Sequence, residues 1–189
     1  MKHARRRLSS MFATALLLPA IGVSTAAAAE SSSAKQEDTY CAMVVGKAGP
    51  GGTPSPVLAQ ECSALSLDDA DTKLRSKVSQ GTTRATNAEL ANILMYWYEH
   101  TDFNNNNTVP GRITSIYGGD GPCDAAGYRI EPTSWWKANL SSIIGQSNCS
   151  FARLTNIALT STSEQAIWGG TGKYLGQYHD NVGISQPHA

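Results

Sequence analysis

Acidic residues are missing from the first 29 positions of this 189-residue chain, where Lys2, Arg5, Arg6 and Arg7 stand unopposed. Taken together, 15 bases and 15 acids cancel, but the balance is local fiction: without those four bases, 11 face 15 acids and the charge is −4. A mildly acidic product lacks the basic face that nucleic-acid binding requires. Charged residues make up only 16% and aromatics 7%, with 41% hydrophobic, which suits an ordinary folded domain rather than a disordered polyelectrolyte. No apolar run reaches the roughly 20 residues of a spanning helix. Cys-x-x-Cys pairs and His at ligand spacing are also absent, which disfavours structural zinc. So are a G-x-S-x-G elbow and a His-Glu-x-x-His helix, the signatures of two large hydrolase classes.

What the N-terminus does contain is an export pattern. Basic Lys2–Arg7, an apolar run from Met11 to Val23, and small residues Ala26–Ala29 form the three parts of a signal peptide over residues 1–29, with cleavage expected after Ala29. The expected localisation is secreted and extracellular, with no membrane span after cleavage. In an oxidising compartment Cys41, Cys62, Cys123 and Cys149 read as two disulfides with three connectivities available. Cys41–Cys62 and Cys123–Cys149 are favoured, because each pair lies within one compositional segment.

The mature chain divides at about residue 90. Residues 30–39 are Ser-rich and polar, a disordered linker by composition. Residues 40–89 read as a strand at Tyr40–Val45, a Gly/Pro-rich loop at Lys47–Pro56, a return strand at Val57–Cys62, then a short exposed helix and a connector at Gln80–Thr86. Leu67, Ala70, Leu74 and Val78 set the helical period, Ser66 can cap it, and acids precede bases along it. From residue 90 to 189 the texture is β. Ile93–Tyr98 and Ile113–Tyr117 are strand-like, with turn signals at Asn104–Asn107, Pro110-Gly111 and Gly118–Pro122. The fold class expected is mainly β, a Greek-key sandwich with a small N-terminal hairpin plus a short helix.

Two stretches share a layout. One runs from Trp97 through Tyr117-Gly118-Gly119 to Ser141-Ser142. The other runs from Phe151 through Trp168-Gly169-Gly170 to Ser185. With Tyr98-Glu99-His100-Thr101-Asp102-Phe103 as an aromatic corner, and Asn105 where Gly is usual, residues 93–186 resemble the βγ-crystallin superfamily in its secreted bacterial form. The resemblance implies one cofactor, calcium. Its ligands would be Asp180, Asn181 and Ser185 from the second closing segment and Ser141 or Ser142 from the first. The sequence departs from the pattern: Lys137 and Ala138 stand where two Asn/Asp belong, and Ile184 where Ser/Thr belongs. The plainer alternative is that these side chains hold turns and strands together.

Trp97, Trp135 and Trp136 are candidate binding residues, since adjacent aromatics on an extended chain cannot all face one core. The 40–89 segment is the nearest cover for rings that point outward. Glu99, His100 and Asp102 look like a polar cluster but alternate faces on a strand. No residue is nominated as catalytic. The functional expectation is a secreted, non-enzymatic binding protein. The resemblance implies a peptidase inhibitor or a toxin-like, antimicrobial module, with an extracellular protease as the partner class. The Lys47–Pro56 loop is the first presenting element and the Gly118–Cys123 loop the second. A calcium-stabilised extracellular structural protein and a small secreted hydrolase are the alternatives.

Overall fold

The computed structural model describes residues 39–105 and 110–189. The expected signal peptide, most of the expected linker and part of the Asn104–Asn107 turn lie outside the described residues. Among the described residues eight strands form: β1 (Tyr40–Val45), β2 (Val57–Ser63), β3 (Ile93–Tyr98), β4 (Ile113–Gly118), β5 (Ser142–Gly145), β6 (Phe151–Thr155), β7 (Thr162–Ala166) and β8 (Ile184–His188). Two helices accompany them, α1 (Leu67–Ser79) and the single turn α2 (Ser134–Lys137). The protein is therefore mainly β, in two sheets. One has the order β2-β1-β4-β3-β5 and the other β7-β6-β8.

The β-branched and apolar runs of β1, β3 and β4 supply the buried centre of the larger sheet. In β1, Ala42 to Val45 are all buried. β1 pairs antiparallel with β2 and parallel with β4, Cys41 opposite Thr114 and Val45 opposite Gly118. The 40–62 hairpin expected as a separate extension thus supplies two of the five strands of the same sheet as residues 93–145. A row of aligned residues crosses all five strands: Cys62, Cys41, Thr114, Trp97 and Ile143. Both expected disulfides form, and Cys41–Cys62 joins direct cross-strand neighbours.

Each face of this sheet carries a core. On one side, Met43, Val45, Trp97 and Ile116 cluster with Ala152 and Leu154 of β6 and with Tyr128, Ile130, Leu175 and Tyr178 from the loops. On the other, Ala42, Val44 and Tyr117 pack against Ala70, Leu74 and Val78 of α1. The helix expected to be exposed is a cover instead. Its i, i+4, i+8 stripe is buried, and full burial of a Leu such as Leu74 contributes about 2 kcal/mol. Ser66 caps it by accepting from the Asp69 N–H at 3.1 Å, and Asp71 accepts from Ser115 Oγ at 2.8 Å, tying helix to sheet. The helix stops where Gly81 takes φ +67°, the left-handed conformation that ends helices. The 40–89 segment does lie on the side that carries Tyr96, whose phenol is pushed up by burial and by Asp71.

The sequence repeat has a structural counterpart. β4-β3-β5 and β7-β6-β8 are both three-stranded antiparallel units, with the first strand of each stretch in the middle and the closing strand on one side. The glycine of the first step is obligatory: a Cβ on Gly118 would lie 2.3 Å from the Gly121 carbonyl and 2.7 Å from Tyr128 Oη.

Candidate functional site

Three places collect the residues singled out by the sequence. The first is the loop between β1 and β2. Its stem is closed by the Gly46 N–H donating to the Pro56 carbonyl at 2.9 Å. Ser55 and Arg129 bond reciprocally: the Ser55 N–H donates to the Arg129 carbonyl at 2.6 Å, and the Arg129 N–H to Ser55 Oγ at 3.0 Å. Lys47 is held twice, its N–H on Asp120 Oδ2 at 2.7 Å and its Nζ on Asp124 Oδ1 at 2.8 Å, 4.2 Å above the Tyr128 ring. Lys47, together with the Gly127 N–H, holds the Asp124 carboxyl below its usual range. Between these anchors Pro50, Gly51, Gly52, Thr53 and Pro54 are exposed. Asp120 belongs to the second presenting loop, Gly118–Cys123. That loop is itself tied down by the Tyr128 hydroxyl donating to the Gly121 carbonyl at 2.6 Å and by the Cys123 N–H on Ser147. The two loops form one support with one free tip.

The second place is an open depression of about 290 Å³ lined by Glu99, His100, Thr101, Asn139, Ser141, His179 and Asp180. Of the five residues expected as calcium ligands, it unites two. Ser141 Oγ lies 2.5 Å from the Glu99 carbonyl and 2.9 Å from Asp180 Oδ1. One hydroxyl proton cannot serve both acceptors, so these oxygens are one donor short. His179 Nδ1 sits 3.0 Å from Asp180 Oδ2.

Of the other three expected ligands, Ser142 and Asn181 have side-chain bonds of their own. Ser142 Oγ donates to the His100 carbonyl at 2.7 Å and accepts from the Phe103 N–H at 3.1 Å. Asn181 accepts from the Ile157 N–H at 3.2 Å. Ser185 is buried within β8, opposite Leu154, and its Oγ has no hydrogen-bond partner among the described residues. Lys137 turns to Glu131 at 2.6 Å. Glu99 was missed as a donor because the atom concerned is a main-chain carbonyl, which has no residue signature. The Glu99, His100, Asp102 cluster does not converge: Glu99 Oε2 accepts from the Arg112 N–H, and Asp102 pairs with Lys173 at 3.1 Å. Among the described residues no three His, Cys, Asp or Glu side chains gather into a metal-binding group.

The third place is the tryptophan cluster. Trp97 is 1% exposed and Trp136 7% exposed, so both indoles lie in the core. Trp97 faces the core because its strand neighbours Tyr96 and Tyr98 take the other face. The α2 turn, capped by Thr133, sends Trp136 inward and leaves Trp135 half-buried beneath the Arg112 guanidinium at 4.2 Å. Trp97 and Trp136 meet edge-on at 5.8 Å and Trp135 and Trp136 at 4.9 Å. No helix among the described residues is long and apolar enough to cross a membrane. Compared with protein-family models, curated proteins and solved structures, the chain matches none.

Proposed function

We propose that this is an exported, non-enzymatic binding protein of βγ-crystallin-like Greek-key type, which presents the Pro50–Pro54 tip to an extracellular peptidase as an inhibitor. The observation that carries this reading is the two-sided anchoring of the loop stem by Asp120, Asp124 and Arg129. A loop already held in one conformation loses little entropy when a partner grips it, so its contacts convert to affinity. The disulfides fit an oxidising compartment. The repeated three-stranded units and the Ser141–Asp180 contact between their closing segments support the crystallin-like reading. Titration against a panel of secreted serine and metallopeptidases is the test. Stoichiometric loss of one activity is expected, abolished when Pro50–Thr53 is replaced by a shorter turn. No loss across the panel sinks the inhibitor.

The depression at Ser141 favours a second reading, calcium stabilisation through one surviving half-site. The Glu99 carbonyl, Ser141 Oγ and the Asp180 carboxylate are hard oxygen donors, and a cation would supply the positive charge that a single proton cannot share among them. Millimolar Ca²⁺ should raise the melting temperature by several degrees in the parent protein and not in Asp180→Asn. An identical melt with Ca²⁺ and with chelator removes this reading and leaves the inhibitor untouched.

A further inference from the structure

The turn that joins β6 to β7 carries leucine where the backbone favours glycine or asparagine. The Leu159 N–H donates to the Asn156 carbonyl at 3.0 Å, closing a β-turn, and Leu159 itself takes φ +57°. The left-handed position of such a hairpin turn ordinarily goes to glycine, and a bulky residue there is strained. Phe103 shares the conformation but stacks on Tyr98 at 5.5 Å, whereas Leu159 is 63% exposed. Burial therefore does not offset the strain at Leu159. Ile157 and Ala158, beside it, are exposed as well. Strain kept for an exposed apolar side chain points to a contact outside the molecule.

The tip's hydrogen bonds are closed inward. The Ile157 N–H donates to Asn181 Oδ1 at 3.2 Å, and the N–H groups of Thr160 and Ser161 reach Asn156 Oδ1 at 2.8 and 3.1 Å. With Leu159, four amides of the tip are thus bonded within the protein. No charged residue or histidine occurs from Leu154 to Ser163. The first charges behind the tip, Arg153 and Glu164, are register partners and pair with each other at 3.4 Å. At about 3.3 Å per residue they lie about 10 Å back from Asn156.

We infer that this hairpin tip docks on a zwitterionic lipid surface, entering its interfacial layer end-on with Ile157, Ala158 and Leu159 leading. Backbone amides enter lipid at low cost only when they are already partnered, and these four are. The uncharged zone of about 10 Å matches the depth of about 5–10 Å to which interfacial segments bury their apolar face. Thr155 and Thr162, whose hydroxyls bond to each other at 3.0 Å, stand behind the tip at headgroup level. A protein partner fits less well, because a projecting tip with its amides already occupied offers it little to hydrogen-bond. An anionic surface is disfavoured too, since 11 bases face 15 acids after residue 29. The tip shares no residue with the Pro50–Pro54 loop or the Ser141 depression, and stands whether or not either of those readings does.

Co-sedimentation of the folded, disulfide-intact protein with phosphatidylcholine vesicles tests the docking. Binding should saturate with lipid, persist from about 0.1 to about 1 M NaCl, and need no phosphatidylglycerol. Leu159→Asn should weaken partition about five- to thirtyfold, the share of one mostly exposed Leu side chain. Its melting temperature should be no lower than the parent's, because Asn adopts the left-handed conformation more readily than Leu. That melt separates lost docking from lost folding. Ile157→Ser should also weaken partition, and Leu159→Met should retain most of it. No partition into phosphatidylcholine, partition that requires phosphatidylglycerol and vanishes in salt, or equal partition by parent, Leu159→Asn and Ile157→Ser overturns the assignment. So does a lipid-free dimer that Leu159→Asn dissolves, which gives the tip to a second copy of the chain instead.

Discussion

Asn104 shows how much one side chain can organise. Asp102, Phe103 and Asn104 all carry positive φ, at 52°, 59° and 65°, a conformation costly for residues other than glycine. Asn104 compensates by accepting from the His100 N–H at 2.9 Å and donating to the Arg112 carbonyl at 3.3 Å. Asn105, where the family resemblance expects glycine, has φ −73° and needs none. Asn104→Ala should therefore destabilise the protein by about 1–3 kcal/mol, read as a lower denaturation midpoint, because it keeps the strain and removes both bonds. A plain cavity effect applies at Leu74. Leu74→Ala should cost about 2–5 kcal/mol, against a few tenths for Leu65→Ala, since Leu65 is 75% exposed. At this scale the sequence was readable wherever a residue's own chemistry decides the outcome. Ser66 announced a helix cap and became one. The Glu99 carbonyl and the pairing of Lys137 with Glu131 were unreadable, because they follow from how distant segments meet.

Among the elements, those with a strong period or composition were legible. β1, β3 and β4 are runs of β-formers, and α1 carries three buried residues four apart. β7 was not: Thr-Ser-Glu-Gln-Ala has neither apolar alternation nor β-branched density. It is a strand because β6 offers it a ladder, and its polarity suits an edge strand, with Glu164 paired to Arg153 and to His188. The disulfides are elements too, and their worth follows from the loops they close. Cys41–Cys62 spans 21 residues, so Cys41→Ala with Cys62→Ala should lower stability by about 3 kcal/mol in urea unfolding. The same measurement in the parent protein with reductant should reproduce that loss and add that of Cys123–Cys149. The Lys47 anchor should respond to acid. Asp124 keeps its charge below the usual carboxylate range, so the anchor holds above that range and loosens as pH falls through the lowered value.

Across the whole molecule, the sequence correctly indicated mainly β structure and two staples. It did not show that the β4-β3-β5 sheet is extended by β1 and β2, because a parallel pairing between residues 40–45 and 113–118 leaves no local trace. One global property follows from the tyrosines on both faces of that sheet. Burial pushes the phenols of Tyr98, Tyr117 and Tyr128 up to about 12. An unfolded tyrosine ionises near 10. The folded state therefore holds these protons more tightly. Their contribution is intact below pH about 10 and is lost as pH climbs from there to about 12. Alkaline unfolding should coincide with the rise in phenolate absorbance in that window, and Tyr117→Phe should blunt it.

The β1–β4 junction has a mechanical meaning. Each disulfide lies wholly on one side of the stretch Gly81–Arg84, where Gly81, Thr82 and Arg84 are exposed, so no covalent bond other than the backbone there links residues 40–81 to residues 82–189. The two parts are joined by a parallel ladder in mid-sheet and by α1 lying across it. A single cut at Gly81 should leave a molecule that still runs as one species in native buffer and parts into two fragments in detergent without any reductant. The chain is, in effect, a split protein that happens to be synthesised whole.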